Sequence, residues 1–140
     1  MKIKAVVTTG FIVGMISNLW GFITCQWLFK WAYYLEGAAF CRRAMLNADT
    51  GWLVVMGGLK ILIAILTTLG YALVYKLIPA KGVRKGLSYG FMIWLVGFLP
   101  SRLLLLMSTT IATGLIGYWI INDLVSYLII GAIISALYRE

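Results

Sequence analysis

The sequence predicts an all-α fold: a single-domain four-helix bundle, residues 1–140, embedded in a membrane. Three observations predict it. Of the 140 residues, 63% are hydrophobic and 11% are charged, whereas soluble domains are about half apolar and about a quarter charged. The mean hydropathy is +0.99. Four apolar runs, Ala5–Phe29, Gly51–Tyr75, Leu87–Met107 and Leu115–Tyr138, each reach the roughly 20 residues that a helix needs to cross a bilayer.

The first run follows "MKIK". It is too long for the apolar core of a signal peptide and has no small-residue cleavage site at the right distance, so an uncleaved first helix is expected. Gly10, Gly14, Ser17, Gly21 and Thr24 recur at spacings of 4, 3, 4 and 3, which keeps them on one side of a helix. Lipid gives helices no hydrophobic reason to associate, so small residues mark the faces where backbones approach.

Between the first two runs lies "WAYYLEGAAFCRRAMLNADT" (Trp31–Thr50), too apolar for an ordinary loop. It is expected to be a short helix on the membrane surface or a continuation of the first helix. Trp27, Trp31, Tyr33 and Tyr34 fit an interfacial aromatic belt. Cys25 and Cys41 fall at the same end; they are a candidate disulfide pair or two unlinked thiols. Their spacing matches no redox motif.

The second run carries Gly57, Lys60, Ala64, Thr67 and Tyr71 on one face. It ends in "KLIPAKGVRKG" (Lys76–Gly86), whose proline, glycines and four cations predict a water-exposed turn. The third run marks its packing face with Gly90, Gly97 and Ser101, and holds the oddest stretch of the chain, "GFLPSRLLLL" (Gly97–Leu106). Pro100 predicts a kink and a freed carbonyl that Ser101 can bond. Arg102 falls about 100° round from the Gly97/Ser101 face. The fourth run, after the short "STTIATG" (Ser108–Gly114), offers Asp123, Ser126, Gly131 and Ser135.

Orientation follows from the cations near helix ends. Lys2, Lys4, Lys76, Lys81, Arg84, Lys85 and Arg139 share one side, against Lys30, Arg42 and Arg43 on the other. Both termini are therefore expected in the cytoplasm. The net charge of +8 then reads as orientation and headgroup contact rather than nucleic-acid binding.

Three charges lie inside the runs: Lys60, Arg102 and Asp123. Each costs roughly 2.5–3.5 kcal/mol at mid-helix on insertion scales, so such groups pair or face water. Helix rise places them at similar depth, about 9–13 Å from one end of the bundle. A polar pocket with one surplus positive charge is the functional expectation, with Asn18, Gln26, Asn122 and Ser126 adding hydrogen bonds. The alternative is a structural pair with the other cation reaching for headgroups. Gly10, Gly14, Gly21, Gly57, Gly90 and Gly97 are the expected packing glycines.

Other chemistry has little support. There is no histidine, two cysteines and four acids, so no metal site or cofactor is expected. "GVRKG" lacks the spacing of a phosphate loop. An intramembrane serine nucleophile, Ser101 beside Lys60, is the weakest option. The stretches "GFIVGMISNLWGF" and "KGLSYGFMIWLVGFLP" resemble small four-span bacterial membrane proteins. That resemblance implies a multi-pass place in the bacterial cytoplasmic membrane but no activity. The expectation is a structural or accessory membrane protein that assembles with itself or a partner. The runner-up is a transporter or channel component for a small polar or anionic solute.

Overall fold

The computed structural model describes residues 3–36, 38, 41, 49–111 and 113–138. Among these residues the chain is helical and has no strand. Four long helices carry it: α1 Ile3–Leu28, α2 Thr50–Val74, α3 Val83–Ser108 and α4 Thr113–Leu137. Each is long and apolar enough to cross a membrane. Of the cations used for orientation, Lys2, Arg42, Arg43 and Arg139 lie outside the described residues.

The helices form two antiparallel pairs, each closed by glycine. In the α1/α2 pair, a β-carbon at Gly10 would lie 2.6 Å from Ile65 Cα, and one at Gly14 2.7 Å from Ile61 Cα. In the α3/α4 pair, a β-carbon at Gly86 would strike the Gly131 carbonyl, and one at Gly90 the Tyr127 carbonyl. Both pairs thus rest on backbone-to-backbone contact, the packing that membrane helices favour. Gly86 is a correction to the sequence reading. It was expected in the exposed turn, but α3 begins at Val83, and Gly86 is buried within its first turns. Lys81, Gly82, Val83 and Arg84 remain exposed, so the charged turn is shorter than its composition implies. Gly82 starts α3 at φ 57°, a left-handed conformation that glycine adopts without strain.

Gly97 is a second correction. It has open space where a side chain would go, and Ser101 is exposed. The reason is a π-helical turn over Trp94–Phe98, in which the Leu99 N–H reaches back five residues to the Trp94 carbonyl. A proline at 100 has no N–H and crowds the carbonyl four residues earlier; the wider turn accommodates both effects. It also inserts one extra residue, which rotates everything after it by about 100°. Phe98 and Arg102 take the inward positions that a continuous α-helix would give to Gly97 and Ser101. Ser101 Oγ donates to the Phe98 carbonyl at 2.8 Å.

The two pairs meet along a seam that is closed at its ends. Near the termini, Tyr71 is surrounded edge-on by Tyr75, Tyr89 and Tyr138, with ring centroids 5.1–6.1 Å away. Tyr89 also donates to the Thr67 carbonyl at 2.6 Å. Lys85 Nζ donates to the Tyr75 carbonyl at 2.7 Å and lies over the Tyr75 ring. At the opposite end, the 3-10 turn Lys30–Tyr34 folds Ala32 and Tyr33 against Leu115 and Tyr118 of α4, with Ala38 and Cys41 in the same buried cluster. Trp27, Trp31 and Tyr34 point outward, whereas Tyr33 is buried, so only three of the four expected belt aromatics face outward. α2 starts on a cap: Asp49 Oδ1 accepts from the Trp52 N–H at 2.7 Å, satisfying one of the donors left free at a helix start.

Candidate functional site

Between the closed ends of the seam lies a partly open cavity of about 180 Å³, far more than the roughly 10–15 Å³ that one water needs. α1 contributes Ser17, Trp20 and Gly21; α2 contributes Lys60; α4 contributes Asn122, Asp123 and Ser126. Apart from Thr67, the rest of the wall is mostly apolar, closed by Ile63, Phe98, Tyr127 and Ile130 among others. Phe98 reaches it through the rotation set by the π-turn, and its ring lies against Tyr127 at 4.3 Å between centroids.

Asp123 is bonded to Arg102, with Nε to Oδ2 at 2.8 Å. Their side chains are 17% and 29% exposed, so the pair is substantially desolvated, and the contact is charge-assisted. Arg102 also lies over the Trp119 ring, 5.1 Å from its centroid. A planar guanidinium suits this double role. The arginine that follows a proline in an apolar run thereby has its partners. The π-turn that precedes the proline brings the arginine to the aspartate.

Lys60 is different. Among the described residues it makes no ion pair or hydrogen bond. Its ammonium lies directly over Gly21, in the place a side chain there would take. Among the described residues Asp123 is the one acid lining the cavity, and its charge is already matched by Arg102. The three charges therefore sum to one uncompensated positive charge.

The polar residues divide by role. Trp20 Nε1 donates to Ser126 Oγ at 2.9 Å, and Ser126 donates to the Asn122 carbonyl at 2.6 Å, a cross-seam link that leaves the Asn122 side chain on the cavity wall. Asn18 does not reach this cavity. Its amide donates to the Gly14 and Gly57 carbonyls at 3.0 and 3.2 Å and so clamps α1 to α2. Ser17 Oγ, absent from the expected binding set, is buried without a hydrogen-bond partner and lines the cavity. Its place in the small-residue stripe hid it, because serine there reads as packing.

A second cavity of about 220 Å³ runs between α1 and α2 toward the connector, lined by Asn18, Gly21, Cys25, Gln26, Trp52, Gly57 and Lys60 among others. Gly21 and Lys60 line both cavities. A β-carbon at Gly57 would meet Asn18 Oδ1 at 3.6 Å, an ordinary contact distance. Cys25 and Cys41 are both free thiols. Cys25 Sγ lies 3.4 Å from the Tyr33 hydroxyl. Burial pushes the Cys41 thiol up, which slows its reactions. Burial, with the Cys25 contact adding to it, raises the Tyr33 hydroxyl as well. No group of three or more metal-ligating residues occurs among the described residues.

Comparison with family models, curated proteins and solved structures finds no match. The functional reading therefore rests on the geometry alone.

Proposed function

We propose that the chain is a multi-pass integral membrane protein of the bacterial cytoplasmic membrane, termini inside, and that it is a transporter or channel component for a small anionic solute. The membrane reading is supported by the outward faces of the helices, where Leu19, Val54, Leu73 and Leu104 are each more than 60% exposed. Apolar exposure on that scale calls for lipid as the solvent. The site is the seam cavity. One observation carries it: among the described residues, Lys60 has no partner in a cavity whose one carboxylate is already bonded to Arg102. An uncompensated charge away from bulk water attracts a counter-ion strongly. The Ser17 hydroxyl and the Asn122 amide stand ready to replace hydration. The apolar remainder of the wall favours a small, weakly hydrated anion over a phosphorylated metabolite.

Reconstitution into liposomes tests this. Efflux of iodide, nitrate or chloride is expected above protein-free background, and Lys60→Ala is expected to reduce it by about tenfold, the effect of losing roughly 1.4 kcal/mol of interaction. Absence of flux across that panel would sink the reading. A structural or accessory role is the second reading. It is favoured by three glycines, Gly58, Gly97 and Gly117, that face outward with open space beside them, where another helix can approach. A Gly97→Leu variant that loses a co-purifying copy or partner while keeping its own fold would support it.

A further inference from the structure

We infer that Lys60 is the gate between the two cavities, and that anions reach the seam site through the α1/α2 cavity at the connector end. This rests on the anion-site reading and gives it a route and a selectivity element. The geometry has three parts. The two cavities share two lining residues, Gly21 and Lys60. The Lys60 ammonium fills the space above Gly21 that a side chain would occupy, so the missing β-carbon is the gap through which the lysine passes between α1 and α2. Beyond that gap, the second cavity is walled by Gln26, Cys25, Trp52 and Leu53, residues at the C-terminal end of α1 and the N-terminal end of α2. A solute moving from that end toward Asn122 and Ser126 meets the lysine at the constriction.

The arrangement has a direct chemical consequence. A mobile ammonium at a narrow point attracts an anion, moves aside with it and repels cations. Lysine suits this better than arginine, since its point charge on a flexible stem has no planar partner to satisfy. Arg102, held by Asp123 and Trp119, is fixed; Lys60 has no such partner among the described residues.

Cys25 lines the second cavity and serves as a built-in reporter. The test uses the full chain in liposomes and two thiosulfonate reagents of similar size, one carrying an anionic ethylsulfonate and one a cationic trimethylammonium. Each transfers its thioalkyl group to the cysteine thiolate and releases methanesulfinate. Peptide mass spectrometry separates Cys25 from Cys41. Relative to a free thiol, Cys25 is expected to favour the anionic reagent by roughly fivefold or more, as an unscreened neighbouring cation requires. Lys60→Met, which keeps the length of the side chain, is expected to erase that preference. Gly21→Ala, which displaces the ammonium but keeps its charge, is expected to alter the rate for both reagents.

A charge preference unchanged by Lys60→Met, or a Cys25 that neither reagent reaches, would overturn the gate. Iodide efflux in the same liposomes keeps the two readings apart. Efflux that depends on Lys60 beside an indifferent Cys25 removes the route and leaves the site. A Lys60-dependent preference at Cys25 without efflux leaves the charged vestibule and removes the transport reading.

Discussion

At the scale of single residues, the decisive question is which cation Asp123 serves. It bonds Arg102 at 2.8 Å while lining the same cavity as Lys60. In a desolvated setting, removing one member of a pair strands the other, and removing both is far milder. The two single removals are not equivalent here. Asp123→Asn leaves two uncompensated cations, and a loss of about 2–3 kcal/mol of stability is expected. Arg102→Met leaves Asp123 with Lys60 across the cavity, so the loss is expected to be smaller, about 1 kcal/mol. The same substitution cancels the surplus positive charge and is expected to weaken anion binding as much as loss of Lys60 does. Denaturant unfolding in mixed micelles, read beside the flux assay, checks both halves. Equal destabilisation by the two single variants would mean that Lys60 cannot reach Asp123.

At the scale of elements, the π-turn of α3 carries the site. If Pro100 and the extra residue of the Trp94–Phe98 turn set the direction of Arg102, two variants should behave in opposite ways. Pro100→Ala restores the missing N–H and lets α3 run as a continuous α-helix, which swings Arg102 about 100° away from α4. The coupling between Arg102 and Asp123, measured by a double-mutant cycle, is expected to fall toward zero. Deleting Gly97 in that background removes the extra residue, and the coupling is expected to return. A coupling indifferent to both changes would show that neighbouring helices, not the proline, hold the turn. This element also marks where the sequence stopped being legible. Apolar length made all four long helices readable. Gly10 and Gly14 meet the α2 backbone because α1 stays α-helical as far as Ile23, whereas Gly21 meets the Lys60 ammonium instead of a helix backbone. Gly97 and Ser101 share a packing face only for a period of 3.6 that runs unbroken through Trp94–Phe98, where the helix widens. Gly86 was hidden by the charges at Arg84 and Lys85, which sit on the first turn of a helix whose other side is already buried. The three charges within the apolar helices could be chosen from the sequence, but their division into one pair and one lysine with no partner among the described residues depends on angles that no spacing rule supplies.

At the scale of the whole molecule, two helix pairs with backbone-tight interiors meet at a seam that holds a cavity in the middle. What holds the seam decides whether the cavity is a site or a packing defect. The contacts at the terminal end are large: Tyr71 and Tyr75 from one pair against Tyr89 and Tyr138 from the other, with Lys85 bonded to the Tyr75 carbonyl. The cavity itself contributes no bond from Lys60 across the seam. The chain should therefore tolerate being cut in the exposed turn between Ala80 and Lys81. Each half would insert as a hairpin and then associate, as helices stable on their own do in a bilayer. Co-expressed halves are expected to co-purify in mild detergent. Tyr71→Ala, which empties the centre of the tyrosine cluster and removes about 3 kcal/mol or more, is expected to separate them. Lys60→Met is expected to leave them together. The opposite result, with the halves parted by Lys60→Met and indifferent to Tyr71→Ala, would make the lysine a structural strut. A strut at that position has no freedom to meet a ligand, and the anion site would fall with it.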